Sequence, residues 1–301
     1  MADFNSKLAP SMTVQPAEQV FVIAEIGINH NGSLDTAKAL IDAAHRAGCD
    51  AVKFQKRTID VVYTPEFLSE TRESPWGTTQ RAQKEGLELG EADYDAIDAY
   101  CRELGIAWFA SAWDVPSQRF LRKYDCPYNK IASALLTHTD LLREVAGERK
   151  LTFISTGMSD FADIDRAVAI FRDHDCPFVL LHCVSTYPSA EADLNLRCIP
   201  LLAERYGCPV GYSGHEASVS PSVVAAVLGA VVIERHITLN RAMYGSDQAA
   251  SLEPRGLETL VAQLRKIPAV LGDGEKRVLD GEKTVAAKLR YWRQEEMAGT
   301  P

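Results

Sequence analysis

The chain has 301 residues, 46% hydrophobic and 24% charged, with a net charge of −9. That length and balance suit one large α/β domain or two ordinary ones, each able to bury a core. The acidic balance, with no basic run, argues against a nucleic-acid partner, although a few local lysines suffice to hold an anionic substrate.

Residues 1–17 read as an N-terminal extension without the apolar core of a signal peptide. Short β-rich apolar runs then alternate with amphipathic segments of helical length. The runs cover 20–28, 51–56, 107–113, 128–133, 151–157, 178–184, 209–214 and 231–238. Between them, Ser33 opens an Ala-rich helix that Gly48 stops, Glu91 to Leu104 is apolar on one face and ends at Gly105, and Ser159 is a candidate N-cap. Further helical segments follow the sixth, seventh and eighth runs. Eight strands alternating with helices predict a (β/α)8 TIM barrel over 18–274, with 275–301 as a charged, helical C-terminal extension. A doubly wound sheet is the alternative, but no Gly-x-Gly-x-x-Gly follows the first run. The polar segment 57–87 is too long for a plain connector and is expected to sit over the active site.

No apolar run reaches membrane-spanning length, so no membrane partner is expected. The seven cysteines (49, 101, 126, 176, 183, 198 and 208) are odd in number and lack a Cys-x-x-Cys. They read as reduced thiols of a cytoplasmic protein.

In a barrel of this kind the reactive groups sit at the C-terminal ends of the strands. Each predicted strand delivers polar groups there: Glu25; Lys53 and Gln55; Ser111, Trp113 and Asp114; Lys130 and Ser133; Ser155; His182, Ser185 and Tyr187; Ser213 and His215; Glu234, His236 and Thr238. Residues two apart share a face of a strand. Lys53 therefore lies with Gln55, and Glu234 with His236 and Thr238, while Arg235 points to the helix layer with no partner legible. Two lysines and several hydroxyls facing one mouth suit a small dianion such as phosphate or a phosphocarboxylate. His215 and His236 end neighbouring strands about 4.8 Å apart, close enough for both imidazoles to meet one metal ion. Two histidines with oxygen donors suit weakly bound Mn2+, Mg2+ or Co2+ better than structural zinc. His182 and Cys183 read as packing, and His45, His138 and His174 as surface.

These residues carry a likeness. "IAEIGINHNGSLDTAKALIDAAHRAGCDAVKFQ", "KIAS", "STGM", "LHCVSTYP", "GYSGHE", "VIERHIT", "GSDQAASLEP" and "GDGEK" resemble, in order and spacing, the sialic acid synthase family, over about residues 18–280. The resemblance implies a (β/α)8 barrel that condenses phosphoenolpyruvate with an open-chain sugar aldehyde. The products would be a 2-keto-3-deoxy sugar acid and phosphate, for surface polysaccharide synthesis. It also implies a divalent metal, Mn2+ first, and a homo-oligomer, dimer or higher. Lys53, Ser111, Lys130, Ser133, Ser155, Ser185 and Ser213 match positions that hold phosphoenolpyruvate. His215 and His236 match the metal ligands, and Glu25, Gln55, Tyr187 and Asp247 match positions for sugar contact or proton transfer.

Three departures fall on the sugar side. Ala134 and Leu135 stand where the family has Gly-Glu, "ASAWD" where it often has Ser-Thr-Pro-Phe-Asp, and no segment of antifreeze-like-domain length follows "GDGEK". The expectation is retained chemistry with an acceptor other than N-acetylmannosamine. A synthase for a phosphorylated or non-amino sugar, octulosonate-like, is the enzyme alternative, with Arg57, Arg72 and Arg81 as candidate phosphate contacts. A non-catalytic sugar-binding barrel is the alternative of another class.

Overall fold

The computed structural model describes residues 19–292. The expected N-terminal extension, residues 1–17, lies outside them.

Eight parallel strands close into a barrel: β1 (Phe21–Gly27), β2 (Ala51–Lys56), β3 (Ala107–Ala112), β4 (Asn129–Ile131), β5 (Thr152–Ser155), β6 (Phe178–Cys183), β7 (Val210–Gly214) and β8 (Val232–His236). All eight fall within the predicted runs. Closure is made by β8 against β1, in a register that sets Glu25 beside His236, and β1 sets Glu25 beside Lys53 on its other side. The predicted TIM barrel is therefore the fold.

Local chemistry explains the helices. Leu34–Ala47 starts at Ser33, whose hydroxyl accepts from the Thr36 amide at 3.2 Å, and stops at Gly48 with φ +82°. That left-handed turn is open to glycine at no steric cost. Its inner face buries Leu40 and Ile41 completely, each contributing about 1.5–3 kcal/mol of apolar transfer. Phe161–Asp173 begins one residue later than the Ser159 reading implies: Asp160 is the cap and accepts from the Asp163 amide at 3.0 Å.

Along the inward face of each strand an apolar or aromatic layer gives way to a polar one. Phe109 precedes Ser111, Tyr128 precedes Lys130, and Phe153 precedes Ser155, each by two residues. The rings of Phe21, Phe109, Tyr128 and Phe153 pack together with centroids 5.4–6.1 Å apart. They fill the N-terminal end of the barrel interior, and among the described residues Lys53, Lys130, Glu25 and Glu234 gather at the other end.

The segment between β2 and β3 is more ordered than its polarity suggests. It folds into short helices (Ile59–Val62 and Pro65–Ser69), a hairpin (Thr71–Ser74 with Gly77–Thr79) and a helix (Gln80–Leu87). Close backbone approach ties it to the β1 loop: a Cβ on Gly32 would stand 2.0 Å from the Gly86 carbonyl oxygen.

The seven cysteines are free thiols, five of them buried. Among the described residues no helix is long and apolar enough to cross a membrane. The chain divides into two compact units, one ending at Ile267 and one starting at Pro268. Within the second, Asp280–Leu289 is helical.

Candidate active site

The mouth of the barrel is built around two lysines and two glutamates, all at most 4% exposed. Lys53 Nζ lies 2.7 Å from Glu25 Oε2 and 3.8 Å from Glu234 Oε1, and it donates to Ser111 Oγ at 3.1 Å. Lys130 Nζ lies 3.8 Å from the same Glu234 oxygen and donates to Ser155 Oγ. Ser213 Oγ donates to Glu234 Oε1 at 3.0 Å. One carboxylate, Glu234, thus bridges two ammonium groups, and the hydroxyls of β3, β5 and β7 surround them.

This arrangement splits the protonation behaviour of the two acids. Burial alone would raise Glu234, but Lys130 and Lys53 outweigh it and hold the carboxyl below its ordinary range. Burial pushes Glu25 above that range, opposed by Lys53 and reinforced by Glu234. The 2.7 Å contact to Lys53 does not cancel this, because one ammonium faces two carboxylates. Burial acts to lower Lys53, but Glu234 and Glu25 together keep it raised and charged. Burial lowers Lys130, which has Glu234 as its main counter-charge. Two carboxyls with opposed shifts in one cleft mark a site built for proton handling.

Beside them sit the two imidazoles, ring centroids 5.3 Å apart. His215 Nδ1 is held by the Val184 carbonyl oxygen at 2.8 Å, which assigns the ring proton there and leaves Nε2 as the lone-pair nitrogen. His236 Nδ1 is buried without a hydrogen-bond partner, and Asp247 Oδ2 stands 3.8 Å away. Burial drives the His236 pKa down to about 3, keeping it neutral. A neutral imidazole with an orphaned buried nitrogen, its ring 5.3 Å from a second imidazole, fits a divalent cation. Among the described residues no three His, Cys, Asp or Glu side chains surround one point. A cation held by these two rings would need water or substrate oxygens to complete its shell.

Tyr187 packs on His215 at 4.1 Å between centroids. Ser133 Oγ accepts from the Gly157 amide at 3.1 Å, and Cys183 Sγ lies 3.8 Å from Ser185 Oγ. Gln55 Nε2 donates to Glu25 Oε1 at 2.8 Å, and Gln55 Oε1 accepts from Arg57. Of the arginines considered as phosphate contacts, Arg57 reaches Gln55 at the mouth, whereas Arg81 pairs with Asp60 and Glu85 at the surface.

A cavity of about 270 Å³ opens next to this cluster, lined by Gln55, Arg57, Tyr63, Lys84, Trp113, Tyr187 and Asp247. Arg57 and Lys84 come from the long segment after β2, which therefore does cover the mouth. A larger cavity, about 690 Å³, lies among Phe21, Trp108, Tyr124 and Tyr128 at the opposite end, away from every group above.

Leu135 is buried in the apolar core and does not line the site cavity, while Ala134 beside it is exposed. His182 is a satisfied core histidine, its Nε2 2.7 Å from the Leu194 carbonyl. Sequence reasoning passed over His30, which is buried and pushed down to about 4 by burial. Its Nδ1 accepts from the Gly32 amide at 3.0 Å. It also passed over Asn29, which donates to the Ile237 carbonyl and to Ser251 Oγ, both at 2.8 Å. Their position just past β1, in "GINHNG", was the available signal.

Comparison with known proteins decides the family. The NeuB family model matches residues 40–276. The chain belongs to the NeuB family. Human N-acetylneuraminate-9-phosphate synthase is 36% identical over 286 residues, covering 94% of this chain and 80% of the relative. N,N'-diacetyllegionaminic acid synthase of Legionella pneumophila is 34% identical over 278 residues, covering 90% and 78%. Among solved structures, N-acetylneuraminic acid synthetase from Leptospira borgpetersenii superposes with a TM-score of 0.78 at 32% identity, covering 90% of this chain and 93% of that one. As a NeuB-family member this protein is a sugar-acid synthase, and the phosphoenolpyruvate-dependent enzyme class expected from the motifs stands.

Proposed function

We propose that this NeuB-family enzyme condenses phosphoenolpyruvate with a sugar aldehyde to give a nonulosonate or related ulosonate and phosphate. The observation that carries this reading is the buried pair of lysines, Lys53 and Lys130, sharing Glu234 and ringed by serine hydroxyls beside the imidazoles of His215 and His236. In the reaction, carbon three of phosphoenolpyruvate bonds to the aldehyde carbon and the aldehyde oxygen takes a proton. Water adds at carbon two, and phosphate leaves as its C–O bond breaks. Lys53 and Lys130 would stabilise the phosphate and carboxylate charges throughout, in a dry site where such contacts act strongly. Ser111, Ser155 and Ser213 would direct hydrogen bonds at the same oxygens. Glu25, with its raised carboxyl, is suited to deliver the proton to the new alkoxide. His215 and His236 would hold a divalent cation, Mn2+ first and Mg2+ or Co2+ as alternatives, which when bound polarises the acceptor carbonyl.

Phosphate release from phosphoenolpyruvate, assayed over a panel of aldoses with and without Mn2+, tests the proposal. Metal-dependent release with at least one aldose is expected, and N-acetylmannosamine is expected not to be the preferred acceptor. No turnover with any acceptor, together with no binding of phosphoenolpyruvate, would leave a non-catalytic sugar-binding barrel instead.

A second reading concerns the far end of the acceptor. Lys84 is half-buried in the cavity wall, stacks over Tyr63 at 5.2 Å and has no ion pair among the described residues. Burial, then Arg57 and Arg72, lower its pKa. An unpaired cation there favours an acceptor with a distal anionic group such as a phosphate. Lys84→Met is then expected to raise KM about tenfold for a phosphorylated acceptor, the scale of one charge-assisted hydrogen bond, and to leave a neutral one unchanged. Equal effects on both would remove this reading.

Gly157 gives a separate check on the serine cluster. A Cβ there would stand 2.3 Å from Ser185 Oγ and 2.9 Å from Ser133 Oγ. Gly157→Ala is expected to displace both hydroxyls and raise KM for phosphoenolpyruvate by about tenfold, the scale of one lost hydrogen bond. An unchanged KM would take Ser133 and Ser185 out of the binding site.

A further inference from the structure

Behind the two imidazoles, on the outer face of the barrel wall, lies an ion pair that the reaction does not use. Arg235 Nη1 is 2.9 Å from Glu216 Oε1, and both side chains are fully buried. Glu216 follows His215 in the chain and Arg235 precedes His236, so each member of the pair is bonded directly to one imidazole-bearing residue. The guanidinium does more than meet the carboxylate. It donates to the Glu216 carbonyl, to the Ser218 carbonyl at 2.8 Å and to Ser222 Oγ at 3.0 Å. Tyr212 OH closes the set by donating to Glu216 Oε2 at 2.7 Å. Space for that carboxylate is reserved: a Cβ on Gly214 would lie 2.7 Å from Glu216 Oε2.

A buried ion pair is weak evidence for stability, because apolar residues of similar volume do as well or better. Val232, Ile233 and Ile237 supply such residues around the same strand. What a forked guanidinium adds is direction: several donors at fixed angles on two backbone carbonyls of the loop after β7. We propose that the Arg235–Glu216 pair is a positioning device that sets the separation and aim of His215 and His236. It rests on the reading of those histidines as a cation-holding pair only for its effect on metal affinity; its effect on imidazole geometry is independent of it.

The test uses the full chain with 15N-labelled histidine. Glu216→Gln keeps the shape and removes the charge. Arg235→Lys keeps the charge and removes the fork. Arg235→Met combined with Glu216→Leu removes both without leaving a buried unpaired charge. Each variant is expected to shift or broaden the imidazole nitrogen resonances of both His215 and His236 in metal-free buffer. Each is also expected to weaken Mn2+ binding, followed by electron paramagnetic resonance, by about tenfold or more, as loss of a ligand-orienting partner does. Thermal protection by phosphoenolpyruvate without metal should be unchanged. A folded variant with wild-type imidazole resonances would overturn the proposal, as would failure of all three variants to fold, which would assign the pair to the fold. If the wild type binds no Mn2+ saturably while the variants still shift the resonances, the metal reading falls and the positioning role stands.

Discussion

Alanine in place of His215 or His236 is expected to abolish metal-dependent turnover, a loss on the order of 10³ in kcat/KM. That figure corresponds to the several kcal/mol of transition-state charge stabilisation that a bound cation supplies. The effect should be large for either residue alone, because the described residues offer no third imidazole, thiol or carboxylate converging on the same point. Neither substitution should unfold the chain. Both rings face the polar mouth, and the aromatic layer around Phe109 and Phe153 that closes the barrel is untouched. The measurement is phosphate release after chelation, with and without added Mn2+, beside a thermal melt. Wild-type rates from both chelated variants would rule out the histidine pair as the metal site.

Lys53→Met is the second large effect, and it reaches binding and stability together. The ammonium contacts Glu25 at 2.7 Å and Ser111 Oγ at 3.1 Å inside a site with almost no solvent. Loss of a charge-assisted contact to phosphoenolpyruvate is worth about 1.5–3 kcal/mol, or roughly ten- to a hundredfold in KM. Removing one partner of a buried pair also costs about 3–5 kcal/mol when the other stays charged. Glu25 can relieve that cost by taking a proton. Its folded-state pKa is already raised above the ordinary 4.5, and loss of Lys53 removes the main group pulling it down. An acid with a raised folded pKa contributes stability that is fully present below the unfolded value and lost as pH rises through the folded one. The melting temperature of Lys53→Met should therefore approach that of the wild type as pH falls toward 4.5, and diverge from it as pH rises to neutrality. A gap between the two that is constant with pH would show that Glu25 does not change its charge in the variant.

Much of this site is legible from strand parity. Two-residue spacing puts Lys53 with Gln55 and Glu234 with His236, and turns Arg235 outward, and the structure has each of them so. The eight strands were equally legible, because each is a short β-branched or aromatic run closed by polar residues. Other features were not. Arg235 on β8 finds Glu216 in the loop after β7, and no local spacing connects the two. The segment after β2 is polar and carries Pro and Gly, yet it folds, because Trp76 and Gly86 pack against each other and Gly32 lets the β1 loop approach. Leu135 occupies a motif position of the sugar side, but the turn at Ser133–Leu135 sends its side chain into the core.

The sequence by itself determined the barrel, the end at which its chemistry sits and the residue types gathered there. It does so because period-two alternation and helix capping are local rules, readable wherever they occur. Only the tertiary structure decided which groups share a charge. Glu234 between Lys53 and Lys130, Glu25 pressed above its ordinary range, Asp247 beside His236 and Glu216 behind His215 all depend on strand register and barrel closure. Those distances set the local dielectric and the pairing, and a linear chain carries neither until β8 closes on β1.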